Sequence, residues 1–232
     1  MSDSSIEGSV LIVFLRRPAL NVGKQRIAAE LGAEAALELS QCLLAAALED
    51  ARQWPGRIVL APAQSADVDW ARDLLNGRAD CVAQPAGNLG RRINAVDQIV
   101  RESAQARVIF IGSDAPGLDC EYLVQAHNAL ADFDVVLGPA DDGGVTLMGA
   151  QQAWPDLSGL PWETPELGRA LAALCVNHGL SVKQLGRRYD VDTQTDLARA
   201  YADLKQDSRP ARRQLVQWIA ANGGLQIGLE DL

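Results

Sequence analysis

Four short stretches of this chain concentrate residues able to do chemistry. "RRPALNVGKQR" (16–26) carries four cations, Arg16, Arg17, Lys24 and Arg26. "GSDAPGL" (112–118) holds one carboxylate, Asp114, on a stiff turn, and "GPADDGG" (138–144) holds two adjacent acids. "DVDTQTDL" (190–197) adds Asp190 and Asp192. A carboxylate and a phosphate repel one another, but a hard divalent cation such as Mg²⁺ or Mn²⁺ joins them, since it prefers carboxylate oxygens and keeps substrate phosphates as further ligands. Cations beside acids on turns therefore point to a phosphate-bearing ligand held partly through a metal.

Each stretch has a competing structural reading. Asp114 could be a turn residue, yet Asp119 is better placed to cap the helix that follows, and Pro116, Gly112 and Gly117 suit a rigid turn that a ligand can approach closely. Thr193 and Asp196 form a capping-box pattern, which leaves Asp192 free to face a ligand. "GPADDGG" reads equally as a hairpin turn or as the source of a general base, Asp142, acting on an acceptor hydroxyl. The cationic stretch taken alone reads as a solvated basic loop, and it is not a P-loop, because Pro18 and Gln25 stand where a Walker A motif needs Gly and Ser or Thr. "GSD" is not a nucleophile elbow. His127 and His178 fall inside helical patterns.

The elements that must position these stretches alternate between strand and helix. Continuous apolar runs at 10–15, 57–63 and 108–111 read as strands covered on both faces. Shorter strands are expected at 135–137, 145–148 and 180–185. Helical periodicity marks 33–50, 68–75, 89–100, a segment carrying Leu123, Ala126 and Leu130, another carrying Leu167, Leu171 and Leu174, and then 194–204 and 212–221. Such alternation predicts crossover units and a mostly parallel sheet with helices on both faces. Ligands of these sheets bind beyond the carboxyl ends of the strands. Three of the four stretches follow expected strands.

Composition bounds the function. The chain has 232 residues, 48% of them hydrophobic, and fits a single domain with no internal repeat. Its net charge of −9 excludes a general basic face for nucleic acid. No apolar run approaches the ~18 residues of a membrane span. "MSDSSIEGSVLIVFL" lacks the charged opening of a signal peptide. Cys42, Cys81, Cys120 and Cys175 contain no C-x-x-C pair, so reduced thiols in a cytoplasmic protein are expected.

"FLRRPALNVGKQRI", "NLGRRI", "IGSDAPGL", "VVLGPADDGG" and "DVDTQTDL" also occur in the order of a known family pattern. The chain resembles, over about residues 10–205, the GT-A-fold family of small bacterial glycosyltransferases long described as a domain of unknown function, some of whose members are assigned to arsenosugar biosynthesis. The resemblance implies a single-domain, three-layer α/β fold of the nucleotide-diphospho-sugar transferase type (GT-A, Rossmann-like). Residues 1–206 would form the nucleotide-sugar-binding domain, with 207–232 a C-terminal helix and acidic tail of the same domain. It implies Mg²⁺ or Mn²⁺ on Asp114 and Asp192, phosphates on Arg16, Lys24, Arg26 and Arg92, and a catalytic Asp142.

The activity so implied is metal-dependent glycosyl transfer from a nucleotide sugar to a small-molecule acceptor. The related alternative is nucleotidyl transfer from a nucleoside triphosphate to a small phosphorylated acceptor. A non-enzymatic nucleotide-binding protein is a third reading, opposed by the retention of every acidic position. Nucleotidyltransferases of this fold open with a glycine-rich segment, where this chain has only Gly23. Two departures bear on the donor loop and the acceptor: Gln25 replaces a threonine, and Val145 and Thr146 stand where the family tends to carry tyrosines.

Overall fold

The computed structural model describes residues 8–103 and 106–223. Their contacts fall into two compact units. Of the described residues, the larger contains 8–17, 50–103, 106–112 and 118–188, and the smaller contains 18–49, 113–117 and 189–223.

The larger unit is built on a seven-stranded sheet. Its strands are β1 (Ser9–Leu15), β2 (Arg57–Pro62), β3 (Asp80–Cys81), β4 (Arg107–Ile111), β5 (Val135–Pro139), β6 (Val145–Ala150) and β7 (Val182–Gln184). Their order is β3-β2-β1-β4-β6-β5-β7. β1 pairs in parallel with β2 and β4, β2 with β3, and β5 with β7. β6 alone runs antiparallel, between β4 and β5. A short turn joins β5 to β6, so β6 must reverse direction, and it then fills the slot beside β4.

The helices of this unit are α3 (Val68–Asp73), α4 (Leu89–Ser103), α5 (Cys120–Ala129) and α6 (Leu167–Asn177). Alternate strand residues Val10, Ile12, Val59, Val108, Phe110, Leu137 and Met148 share one cluster with Ile93, Val96 and Val100 of α4 and Leu171 and Cys175 of α6. Period-2 geometry sends Leu11, Val13, Ile109 and Ile111 to the opposite face, and these are buried too. α5, which is no part of that cluster, packs on β4 and β5. The central strands are covered on both sides, which is why they read as unbroken apolar runs.

The smaller unit is helical. It contains α1 (Gln25–Leu31), most of α2 (Ala33–Gln53), α7 (Gln194–Leu204) and α8 (Pro210–Asn222). Ile27, Leu39, Leu43, Val191, Leu197, Ala200, Leu215 and Ile219 form its core. α8 is anchored from inside. Arg212 is fully buried, donates to Glu49 Oε2 at 3.1 Å, to the Pro116 carbonyl at 3.4 Å and to the Ala46 carbonyl, while the Ala211 N–H donates to Glu49 Oε1 at 2.9 Å. Of the expected C-terminal helix and acidic tail at 207–232, residues 224–232 lie outside the described residues.

The four cysteines are free thiols, as their spacing predicts. Among the described residues no helix is long and apolar enough to cross a membrane.

Candidate functional site

Within the smaller unit three sequence-distant segments bring predicted site residues together. The first is the loop before α1. Asn21, Gly23 and Lys24 all have positive φ, of 62°, 71° and 48°. Only glycine adopts that region cheaply, and other residues need outside support there. Gln25 supplies some of it, because its Nε2 donates to the carbonyls of Asn21 at 3.1 Å and Gly23 at 3.3 Å. The departure from threonine at this position thus has a task in the loop.

The second segment is Ser113–Gly117 and the third opens at Tyr189. The Val191 N–H donates to the Asp114 carbonyl at 3.0 Å, which sets the register of the two segments. Directly after it, Thr193 caps α7 in a reciprocal box with Asp196, and the Asp192 N–H donates to Asp196 Oδ2 at 3.0 Å. Asp196 and Thr193 are consumed by the cap, as their spacing predicts, and the Asp192 carboxylate points elsewhere.

Its partner is Lys24. The Lys24 ammonium lies 2.9 Å from Asp114 Oδ2 and 2.8 Å from Asp192 Oδ1. The lysine side chain is 4% exposed, whereas the carboxylates are 48% and 53% exposed. Burial alone would lower the lysine pKa, but the paired charges and hydrogen bonds of Asp114 and Asp192 outweigh it and hold the ammonium above its usual range. Lys24 therefore stays charged at neutral pH.

These two carboxylates converge on one cation-sized point. Among the described residues no group of three or more His, Cys, Asp or Glu side chains is arranged to hold a metal. Mg²⁺ and its close relatives do not need such a cage, since they are commonly bound through one or two carboxylates, waters and substrate phosphates. An oxygen-only pair already facing a cation fits that chemistry. Arg26 stands exposed in the first turn of α1.

The remaining predicted residues belong to the larger unit. Arg16 is exposed just past β1, and its neighbour Arg17 faces Asp67 at 3.7 Å and the Trp70 ring. Arg92 lies on α4, with its Nε donating to the Gly87 carbonyl at 2.8 Å. "GPADDGG" is a hairpin turn between β5 and β6, and Asp142 Oδ1 accepts from the Gly144 N–H at 2.9 Å. The next residue, Gly143, is indispensable there: its φ is +91°, and an added Cβ would lie 2.1 Å from the Pro165 carbonyl oxygen. Asp119 caps α5 by accepting from the Tyr122 N–H at 2.7 Å, as expected. Sequence reasoning passed over "GRR" (186–188), which lies against the same turn. There the Arg188 N–H donates to the Pro139 carbonyl, Arg187 donates to the Ala140 carbonyl at 3.1 Å, and Arg188 stacks on Tyr122. The only available signal was two adjacent arginines after a weak strand.

No curated protein matches the chain in sequence. Among solved structures, a protein of Desulfovibrio desulfuricans G20, provisionally named a nucleotide-diphospho-sugar transferase, is 25% identical with a TM-score of 0.85, covering 94% of this chain and 97% of that one. Rv0371c of Mycobacterium tuberculosis H37Rv, solved in complex with manganese, shares 18% identity at a TM-score of 0.52, covering 83% and 97%. A cytidylyltransferase of Leptospira borgpetersenii shares 10% at 0.56, covering 96% and 99%. The latter two agree in fold alone. The fold is that of the nucleotide-diphospho-sugar transferases, as the motifs imply. A family model described as "uncharacterized protein conserved in bacteria (DUF2064)" matches residues 44–164, and the chain belongs to that family.

Proposed function

We propose that the protein is a metal-dependent glycosyltransferase that uses a nucleotide diphosphate sugar. The observation that carries this reading is the convergence of Asp114 and Asp192 on one cationic centre. Neither carboxylate can approach a diphosphate without a cation between them. Asp114 and Asp192 would hold Mg²⁺ or Mn²⁺, which would supply charge stabilisation for the leaving diphosphate. Lys24 and Arg26 bind the diphosphate, and Arg16 and Arg92 are its further proposed phosphate ligands. Asp142 takes the proton of the acceptor hydroxyl. The acceptor oxygen forms the new bond to the sugar carbon as the bond from that carbon to the diphosphate breaks, so a nucleoside diphosphate leaves.

One observation favours a second reading, nucleotidyl transfer: a cytidylyltransferase shares the fold. The two differ in product. Incubating the protein with Mn²⁺ and a panel of nucleotide sugars should slowly release nucleoside diphosphate, with water as a poor acceptor. Pyrophosphate released from a nucleoside triphosphate, with every nucleotide sugar left intact, would transfer the assignment to the second reading.

A further inference from the structure

The Lys24 ammonium stands at the point on which Asp114 and Asp192 converge, so in the free protein the acidic pair already has its cation. We propose that this pair takes its divalent ion as a complex with a nucleoside diphosphate and not as the free ion, because Lys24 blocks the position until a diphosphate offers the ammonium a new anionic partner. The inference rests on the reading that Asp114 and Asp192 are the metal ligands.

Three features carry it. Charge comes first: two carboxylates attract a dication strongly, but with an ammonium within 3 Å of both the cluster is reduced to a single net negative charge. Second, the side chain of Lys24 is 4% exposed, so a free metal ion that displaced it would leave a buried ammonium without its counter-ions, an arrangement proteins avoid. Third, the backbone of Lys24 is held in the left-handed region beside the Gln25 contacts, so any change of partner falls to its four-carbon stem. The lysine can change partners without moving the loop. A diphosphate removes the penalty by binding the ammonium and the incoming cation together. Metal and diphosphate must then strengthen each other's binding by the same factor.

The test is Mn²⁺ binding to the full chain, followed by electron paramagnetic resonance, with Mn²⁺ alone and with UDP, GDP, CDP or ADP, corrected for Mn²⁺ bound to nucleotide in solution. Wild type should bind Mn²⁺ alone weakly, and at least one diphosphate should tighten that binding tenfold or more. Lys24→Met should bind Mn²⁺ alone at least tenfold more tightly than wild type and gain little from diphosphate. Lys24→Gln, which keeps a polar group between the carboxylates, guards against a folding defect in the Met variant and should show the same gain. Lys24→Arg keeps the charge and should stay weak. Equal affinity for free Mn²⁺ in wild type and both neutral variants, with Asp114→Asn weakening all of them, would overturn the blocking role and leave the metal site standing. Mn²⁺ binding to the neutral variants that ignores Asp114→Asn would overturn both.

Discussion

The N–H of Val191 donates to the carbonyl of Asp114, and this one backbone bond joins two segments 77 residues apart. Val191 is buried in the helical core, so the neighbouring Asp192 is held beside Asp114 by packing as well as by that bond. The acidic pair is thus set by main chain and core, not by the salt bridges made at its surface.

Asp114→Asn should therefore fold. The substitution keeps volume and leaves the buried Lys24 ammonium its second counter-ion, Asp192, so the loss should stay below the about 3–5 kcal/mol of breaking a buried pair outright. What should vanish is ligand stabilisation. In wild type a nucleoside diphosphate at a hundredfold over Kd with Mn²⁺ contributes about 2.7 kcal/mol, roughly 5–10 °C. A thermal-shift series with Mn²⁺ or EDTA checks this, and an equal shift under EDTA would refute the metal bridge.

Asp142→Asn separates a turn residue from a catalytic one. The asparagine oxygen can still accept from the Gly144 N–H, so the hairpin and its Tm should be nearly unchanged. Turnover should fall by about 10²–10⁴, with nucleotide affinity within a few-fold of wild type. Steady-state product release beside a nucleotide titration decides it. Undiminished turnover would confine Asp142 to the turn.

Arg212→Met should be costly. A fully buried guanidinium bonded to Glu49 and to two carbonyls is removed, which leaves Glu49 without that partner. Breaking such a pair costs about 3–5 kcal/mol. Chemical denaturation of the two proteins should show a loss of that order. A loss under 1 kcal/mol would mean that α8 is held by its apolar face alone.

His127 sets a pH dependence of stability. Its ring is buried, with Nδ1 2.7 Å from Ser9 Oγ, and burial, reinforced by the nearby Arg107, lowers its pKa below 6.5. The unfolded chain therefore binds the proton first. Stability is lost as pH falls through the unfolded value near 6.5 towards the folded one, and is retained above. Tm of wild type should drop more steeply between pH 7.5 and 5.5 than that of His127→Gln. Parallel curves would show that the buried imidazole contributes nothing.

Much of this was legible in the sequence. Doubly covered strands declare themselves as apolar runs, and the caps at Asp119 and Thr193 as local patterns. α1 was not legible, because it starts at Lys24 in a left-handed conformation with no side-chain cap and ends after seven residues at Gly32. Strand β6 and the hairpin turn before it were legible, but its place beside β4 was not, since that pairing depends on residues about forty positions away. At the site, Asp114 and Asp192 each stand out in a short motif of their own, and the structure brings both within 3 Å of Lys24. Lys24 read as a phosphate ligand only, and its pairing with both acids spans separations that no local spacing encodes.

Those separations also order events during synthesis. Lys24 and Asp192 are 168 residues apart, and at roughly 5–20 residues per second the ribosome needs on the order of ten seconds or more to deliver the second after the first. Until α7 and α8 emerge, the apolar stripe of Ile27, Leu39 and Leu43 lacks Leu197, Leu215 and Ile219 to cover it. The smaller unit closes last, while the strands of the sheet from β1 to β7 have all been made before residue 185. The nascent chain therefore passes through an interval in which its sheet can form but its acidic pair cannot. In that interval α1 and α2 offer an uncovered greasy face to whatever chaperone waits at the tunnel exit.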